Sequence, residues 1–444
     1  MTLKEVAHPH VAFDSFSVHT SLLFDPQRKQ FLHNISLTVD RTTGLITEVY
    51  ERTSSSLPSN HDFTRDIDLR HLTVLPGLVD AHTHIFLHPY AETPSLNQMR
   101  DESMVERIIR ATNHLRAALL AGYTTYRDLG TEGVSDADIG LRDAVNRGLI
   151  PGPRLFVATE AIASSGGYET RQENHLGGTT VPRISDPADG PVAVRAAVRR
   201  RIGAGADVIK FYGDYRKRQL RFPPPAWKGA KEIQFPPNAG ETIDRNPNVP
   251  LFEADEMVAM VREARISKAP IAAHCGLSES VVKAAEAGVT TVEHGNEAGE
   301  DAIEAMKKNG TIYVPTLAVM ELFGLTDRML SYTKTAYEAG VKLATGGDTG
   351  PFAHGENVRE LELMLKAGLP LEEVLVAATV RGWEACGSTW CGRKFGWFEK
   401  GVAADIVALE GDLREDVGVL RKVDFVMKDG KVWKRDGLAV GTSA

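Results

Sequence analysis

Short apolar runs alternate with stretches of helical spacing through the middle of the chain, from residue 73 to residue 390. Such runs are typical of strands buried on both faces of a parallel sheet. Eight are predicted as strands: Leu75–His84, Thr124–Leu129, Arg154–Ala161, Asp207–Tyr212, Pro270–Cys275, Thr290–Gly295, Thr311–Leu317 and Lys342–Gly347. The alternation predicts an α/β fold, a (β/α)8 TIM barrel. An open doubly wound sheet is the alternative, although no Gly-x-Gly-x-x-Gly follows a strand.

Two segments between these strands have clear helical signals. One apolar stripe recurs at helical spacing along Val105, Ile108, Ile109, Thr112, Leu115 and Leu119. The second helix is predicted over Glu253–Ser267, where acidic residues in the first turn suit a helix N-terminus.

The two ends of the chain have a different pattern, with short β-like runs separated by turn-forming residues. The runs are Phe16–Leu23, Asn34–Val39, Ala404–Glu410, Asp424–Met427 and Lys431–Trp433. They predict one small β-sandwich built from both termini, residues 1–72 and 391–444, flanking the barrel at 73–390. Two unrelated terminal hairpins are the alternative.

Two connections are longer than a barrel needs. The segment 216–248 follows the fourth strand and is rich in Pro, Lys and Arg, and Ser164–Pro187 follows the third. Barrel enzymes keep their active-site loops at the C-terminal ends of the strands. We therefore expect both segments to cover a substrate; a solvated surface excursion is the alternative.

Composition narrows the class of protein. The net charge is −8 with acidic and basic residues interspersed, which argues against a nucleic-acid partner. The three cysteines, Cys275, Cys386 and Cys391, form neither a disulfide framework nor a zinc-finger spacing, as expected in a reducing compartment. No basic start precedes an apolar run, and no run approaches a membrane span. A cytoplasmic protein without a membrane partner is expected.

Polar residues stand at the ends of five predicted strands. His82 and His84 are two apart, so they face the same side of the first strand, where two imidazoles can bind one metal ion. The other strand ends add Lys210, His274, His294 and Asp348. Each alone has a structural explanation, but histidine and aspartate are poorly suited to apolar interiors, and their joint occurrence indicates a metal centre.

Lys210 requires a separate argument. Burial beside metal ions would lower its pKa, and the neutral amine can add carbon dioxide to form a carbamate. That modification would turn a misplaced cation into an anionic ligand with two oxygens. The alternative is an ordinary lysine that extends into solvent.

The chain resembles the amidohydrolase superfamily, in the branch with a carboxylated lysine and two metals, and most closely its prolidase-like and imidazolonepropionase-like hydrolases, including ochratoxin-hydrolysing amidases. The matching stretches are LPGLVDAHTH, GADVIKFYGDYR, APIAAHCG, TTVEHGNE, LATGGDTG and FEKGVAADIVAL. The resemblance implies two divalent ions, with zinc expected and manganese or cobalt permitted by the ligands. It implies His82, His84 and Asp348 on the buried ion, His274 and His294 on the other, and carboxylated Lys210 bridging them. It also implies a homo-oligomer.

The mechanism expected from this pattern is attack by a hydroxide that bridges the two metals, with Asp348 as the catalytic proton acceptor. Tyr212 and His354 are predicted substrate contacts. Tyr168 stands where relatives often carry a histidine, so we expect it to supply that substrate contact. Arg127 and Asp128 are predicted to pair with each other below the pocket. Glu293 is predicted to face outward, because its neighbour His294 faces in.

The predicted function is hydrolysis of an amide C–N bond in a small N-acyl amino acid or dipeptide-like molecule. A basic segment favours a substrate that bears a carboxylate: Arg216, Lys217, Arg218, Arg221, Lys228 and Lys231. A lactone hydrolase is one alternative on the same scaffold. A deaminase is another, since deaminating relatives usually use one metal without a bridging lysine. A non-catalytic structural or interaction protein is the remote alternative.

Overall fold

The computed structural model describes residues 14–59, 61–167, 182–216 and 248–441. Two compact units share the chain: Met1–Gly77 with Arg393–Ala444, and Leu78–Gly392. Tyr168 and the basic residues from Lys217 to Lys231 lie outside the described residues. No helix within the described ranges has the length and apolar content to span a bilayer.

The elements follow in chain order. The first unit begins with β1 Ser15–Asp25, β2 Gln30–His33, β3 Ile35–Asp40, β4 Ile46–Glu51 and β5 Ile67–Pro76. The strands of the second unit are β6 Leu78–Thr83, β7 Tyr123–Asp128, β8 Arg154–Val157, β9 Ala161–Ala163, β10 Ser185–Pro187, β11 Ile209–Tyr212, β12 Asp214–Arg216, β13 Asn248–Pro250, β14 Ile271–Leu277, β15 Thr291–Glu297 and β16 Ile312–Val314. The first unit resumes with β17 Ile406–Leu409, a 3₁₀ turn Val417–Arg421, β18 Val423–Lys428, β19 Lys431–Arg435 and β20 Leu438–Ala439.

Helices accompany the strands of the second unit. They are α1 Ser95–Asp101, α2 Met104–Leu120, α3 Ala137–Asn146, α4 Gly190–Ala204, α5 Ala254–Ile266, α6 Ser278–Ala287, α7 Glu300–Asn309, α8 Leu317–Leu322, α9 Thr326–Glu338, α10 Val358–Lys366, α11 Leu371–Ala377, α12 Val380–Ala385 and a 3₁₀ turn Ser388–Cys391. The predicted helix over Glu253–Ser267 is confirmed. Glu253 and Glu256 form a capping box at its start, as the acidic first turn suggested.

The first unit contains one nine-stranded sheet. Its order is β20-β19-β18-β17-β5-β1-β3-β4, with β2 paired to β1. Strand β5 joins the two terminal segments, because it pairs with β1 on one side and with β17 on the other. Apolar side chains from both segments, among them Val18, Leu37, Ile406 and Phe425, pack in one core.

The second unit contains a ring of parallel strands. The eight predicted barrel strands, numbered in chain order, are called its staves. Strands β6, β7 and β8 pair in parallel, and β9, β11, β14, β15 and β16 form a second parallel set. Residues 154–163 carry both β8 and β9, which links the two sets. Residues 343–349 close the ring, since Leu343 bridges Tyr313 of β16 and Thr349 bridges Thr83 of β6. This is the TIM-barrel-like α/β fold that the alternation predicted.

Four local predictions need correction. The predicted first strand, Leu75–His84, is divided between β5 and β6, and the predicted third strand, Arg154–Ala161, is divided between β8 and β9. The eighth stave makes only isolated bridges rather than a regular strand over Lys342–Gly347. Its backbone approaches β6 so closely that a Cβ on Gly346 would lie 2.9 Å from the His82 nitrogen. Helix α2 buries only the second half of the predicted stripe. Leu115 and Leu119 are buried as predicted, whereas in the first half Arg107 and Ala111 face inward and Val105 and Ile109 are exposed.

Candidate metal centre

The ends of the barrel staves bring buried polar side chains together. Asp80, two residues before His82 on β6, holds the first and eighth staves in register. Its carboxylate accepts hydrogen bonds from the His82 backbone N–H at 3.0 Å and from the Thr349 hydroxyl at 2.9 Å. Asn357 donates a third from its side-chain amide at 2.6 Å. The two staves are therefore fixed where their side chains meet.

The tightest cluster combines side chains from the first, sixth and eighth staves. Ligand atoms of His82, His294 and Asp348 all lie within 4.8 Å of one another. His84 Nε2 is 3.2 Å from Asp348 Oδ1, and the ring centre of His274 is 4.4 Å from that of His294. The five predicted imidazole and carboxylate ligands therefore converge, with His84 and His274 at the edge of the tight set.

Hydrogen bonds orient the histidine rings. His82 Nδ1 lies 2.8 Å from Glu293 Oε2, and His84 Nδ1 lies 2.8 Å from the Gly130 carbonyl oxygen. Both oxygens accept, so each Nδ1 carries a hydrogen and each Nε2 is the ring atom that faces the cluster. His294 Nδ1 bonds the Thr316 hydroxyl at 2.9 Å. This pattern of an outer acceptor behind each ring is typical of metal-binding histidines.

Burial and mutual repulsion keep most of these rings neutral. Burial, and after it the nearby Lys210 ammonium, lower the pKa of His274 to about 3. The same two causes lower the pKa of His82, and burial with His274 lowers that of His294. Neutral imidazole is the form that binds a metal ion. These three neutral rings can therefore bind a metal ion.

His84 and Asp348 form the exception. Burial opposes charge on both, but their direct contact outweighs it and raises the pKa of His84 to about 9. Although burial alone would raise the pKa of Asp348, His82 and His84 hold it at about 2. A proton thus sits where a divalent ion would be held, and ion binding would release it.

Lys210 is buried among these rings, with 2% of its surface exposed. Burial lowers its pKa to about 8, partly opposed by Glu293 and Asp348. Its Nζ lies 5.8 Å from the ring centre of Tyr212. The alternative of a lysine extended into solvent is therefore wrong. The amine lies close enough to His82, His274 and His294 to lower the pKa of each.

The prediction that Glu293 faces outward is wrong. Its side chain is completely buried and contacts His82 and Arg127, which belong to the first and second staves. Strict alternation fails because His294 adopts a left-handed backbone with φ of 76°. Glu293 and His294 can then both point into the ring.

The predicted pair between Arg127 and Asp128 is also wrong. Arg127 donates to Glu293 Oε1 at 2.9 Å and to the Ala81 carbonyl at 2.6 Å. Asp128 accepts from the Ile85 backbone N–H at 2.8 Å. Here alternation along the strand does hold, so neighbouring side chains point to opposite faces.

The predicted substrate contacts have distinct surroundings. Tyr212 is 5% exposed, and its hydroxyl donates to Glu132 Oε1 at 3.2 Å. His354 is buried and stacks on His114 with ring centres 4.5 Å apart. Tyr168 lies outside the described residues.

Sequence reasoning missed Asp80, Glu132 and the inward role of Glu293. The signal for Asp80 was available, because residues two apart on a strand share a face. Glu132, Thr316 and Asp348, like His294, have positive φ angles between 52° and 76°. Such backbone strain is concentrated at functional sites, and sequence patterns do not reveal it.

The donor set suits divalent metal ions of the zinc class. Imidazole nitrogens with carboxylate oxygens match that class, and the orienting bonds to Glu293, Gly130 and Thr316 leave the Nε2 atoms available. More donors meet here than one tetrahedral ion requires. The residues therefore fit the ions expected from the sequence.

Comparisons with known proteins agree with the geometry. The amidohydrolase family model matches residues 73–433. The chain is 30% identical over 402 residues to ochratoxinase of Aspergillus niger, covering 82% of this chain and 76% of that protein. The crystal structure of the A. niger ochratoxinase superposes with a TM-score of 0.75 at 25% identity, covering 97% of this chain and 98% of that one.

Peptidase structures are similar as well. A Xaa-Pro dipeptidase crystallised with methionine in its active site matches at 30% identity and a TM-score of 0.75, covering 95% of this chain and all of that one. A prolidase complexed with N-methylphosphonate-L-proline matches at 26% identity with the same TM-score and the same coverage. The chain belongs to the amidohydrolase family and is a hydrolase that acts on carbon–nitrogen bonds.

Proposed function

We propose that this chain is a binuclear metal-dependent hydrolase that cleaves the amide bond of a small N-acyl amino acid or dipeptide-like substrate. The observation that carries the proposal is the approach of His82, His294 and Asp348 ligand atoms to within 4.8 Å, beside a buried lysine. His84 and His274 extend this set on either side. That arrangement has ligands for two ions.

Lys210 is the proposed bridge, as a carbamate. Its burial favours the neutral amine, which is the form that reacts with carbon dioxide. The carbamate would replace the Lys210 ammonium, which bound metal ions would repel, with an anion that lies among three histidines. Zinc is the proposed metal, since imidazole and carboxylate ligands suit it.

The chain's own residues divide the chemical work. Bound divalent ions would supply a water of lowered pKa and polarise the scissile carbonyl. Asp348, with a pKa held low by His82 and His84, is ionised at neutral pH and can accept a proton from that water. It then delivers the proton to the leaving nitrogen. Glu293 and Gly130 hold the His82 and His84 rings in place throughout.

The substrate class follows from the relatives and from charge. Two similar structures are proline-specific or prolidase-type enzymes that hold an amino acid or a proline derivative. Such compounds carry a free carboxylate, and the basic segment from Arg216 to Lys231 would complement it. Tyr212, Tyr168 and His354 are the proposed substrate contacts. Tyr212 is best supported, because its ring packs 5.1 Å from that of His274.

Further proposals complete this picture. The barrel comprises residues 73–390, and residues 1–72 with 391–444 build the β-sandwich. The functional form is a cytoplasmic homo-oligomer whose partner is the small-molecule substrate, without nucleic acid or membrane. The buried free cysteines Cys275 and Cys386 fit a reducing compartment.

The test is a substrate panel with zinc-loaded protein. N-acyl amino acids, X-Pro and other dipeptides, simple lactones and amino-heterocycles are compared by kcat/KM. We expect release of free amino acid from the first two groups. Turnover of lactones alone would move the assignment to a lactonase. Ammonia release with one metal per chain and unmodified Lys210 would move it to a deaminase.

A further inference from the structure

A second cluster of residues that could bind a metal ion lies in the first unit, at the nine-stranded sheet. The proposed catalytic residues belong to the second unit. The second cluster comprises His19 on β1, His61 in the β4–β5 connection and Asp66 just before β5. One ligand atom from each lies within 4.8 Å of the other two. His61 Nδ1 is 3.5 Å and His19 Nε2 is 4.0 Å from Asp66 Oδ2.

The two nitrogens that face Asp66 make no hydrogen bond. His19 Nε2 and His61 Nδ1 are both buried without a hydrogen-bond partner among the described residues. His19 is 1% exposed, and the His61 side chain is 4% exposed. Buried polar atoms are normally paired, so two orphaned nitrogens aimed at one carboxylate oxygen call for a shared partner.

Hydrogen bonds already fix the other polar atoms of His19 and Asp66, and Asp66 Oδ2 itself accepts from the Asp62 backbone N–H at 2.9 Å. His19 Nδ1 lies 2.8 Å from the Ser36 hydroxyl, and Arg52 donates to that hydroxyl at 2.7 Å. Asp66 Oδ1 accepts from the Ser17 backbone N–H at 2.8 Å. These contacts hold the ring and the carboxylate so that one nitrogen and one oxygen point inward. This is the outer support that metal-binding residues usually have.

Hydrogen bonds alone do not satisfy this cluster. Each neutral ring can turn one N–H toward Asp66, but neither nitrogen, at 3.5 Å and 4.0 Å from Oδ2, makes a hydrogen bond. A single divalent ion contacts all three atoms at once. Ligand atoms around tetrahedral zinc lie about 3.3 Å apart, so each distance within the cluster, at most 4.8 Å, needs to contract by no more than ~1.5 Å.

We propose that His19 Nε2, His61 Nδ1 and Asp66 Oδ2 form a structural site for one divalent cation of the zinc class, with water completing the coordination. The ion joins the connection between β4 and β5 to strand β1. Because that connection otherwise contributes few buried apolar side chains, the ion stabilises the first unit rather than the chemistry. The site is independent of the proposed catalytic ions.

The experiment counts zinc per chain by elemental mass spectrometry after equilibration with a fixed low concentration of free zinc. His61→Gln and Asp66→Asn should each bind one equivalent less than wild type. His71→Gln, an exposed histidine on β5, is the matched control and should bind as wild type. The double variant His82→Asn/His84→Asn, which damages only the barrel site, should still lose one further equivalent when His61→Gln is added.

A second readout guards against misfolding. Zinc should raise the thermal midpoint of His82→Asn/His84→Asn by several degrees and slow tryptic cleavage after Arg65, and adding His61→Gln should abolish both effects. Equal zinc counts in wild type, His61→Gln and Asp66→Asn would overturn the proposal. So would an unchanged zinc-induced midpoint shift in the His61→Gln background. Neither outcome bears on whether the barrel site hydrolyses amides.

Discussion

Among the residues that the structure describes, two groups of two imidazoles and one carboxylate occur, and they differ in what surrounds them. In the barrel, His82, His294 and Asp348 are accompanied by further potential ligands, His84, His274 and Lys210. In the first unit, the described residues bring together three potential ligands, His19, His61 and Asp66. Surplus donors allow a second ion, whereas three donors provide for one ion only.

The two groups also differ in the backbone conformation of their residues. His294 and Asp348 adopt left-handed conformations with φ of 76° and 56°. The three sheet residues have ordinary backbones, being absent from the positive-φ residues of the described chain. Strain held in place by surrounding structure is a mark of functional sites. This difference supports the proposals that the barrel group reacts and that the sheet group stabilises the first unit.

The largest effect should come from Asp348→Asn. Asparagine keeps the shape but cannot accept the proton, so we expect kcat on an N-acyl amino acid to fall by ~10³-fold or more. Asp255→Asn, an exposed aspartate on α5, is the matched control and should leave kcat unchanged. A loss below tenfold for Asp348→Asn would remove this residue as the proton acceptor.

The second-largest effect should come from Lys210→Met. Without the carbamate, the affinity for the second ion should fall by ~100-fold, comparable to loss of a ligand's support, and activity should fall with it. A small carboxylate such as acetate should restore part of the activity by occupying the space of the missing group. Lys307→Met, on the exposed face of α7, is the control. Full activity in Lys210→Met would contradict a bridging role.

Glu293→Gln tests the support of the barrel group. The change keeps a hydrogen-bond acceptor for His82 but leaves the buried Arg127 without its anion. We expect zinc affinity to fall ~10- to 100-fold, measured by competition with a chelator. Glu304→Gln, exposed on α7, provides the baseline. If the two variants retain zinc equally well, Glu293 does not support the ligand.

The smallest effect concerns stability and pH. Glu360 accepts from the Ala318 backbone N–H, beside the turn that carries Thr316, and burial raises its pKa from 4.5 to about 8. The folded state therefore binds this proton more tightly than the unfolded state, and stability falls as pH rises between those two values. Glu360→Gln should flatten that fall in urea unfolding at pH 5.5 and 8.5. Equal losses in both proteins would contradict the shift.

The sequence predicted that the side chains of the barrel group come together, because its residues stand at the ends of apolar runs. His82 and His84 share a strand face by their spacing, and His274, His294 and Asp348 close later runs in the same way. The parallel staves then bring the ends together. Predicting this convergence required only the positions of the strands along the chain, not their side-chain contacts.

The sequence could not predict what depends on register or on broken alternation. Glu293 faces inward only because His294 has a positive φ, and Arg127 pairs across the ring with Glu293 rather than with its neighbour. His19, His61 and Asp66 have no regular spacing. They meet through the pairing of β1 with β5 and through the path of one connection.

The most direct test of the central claim is a crystal structure of the zinc-loaded protein with anomalous diffraction data. We predict two strong anomalous peaks in the barrel, one against His82 and His84 and the other against His274 and His294. Density for Lys210 should extend past Nζ by a planar carboxylate between the peaks. A bare Lys210 amine with no ion beside His82 would contradict the account.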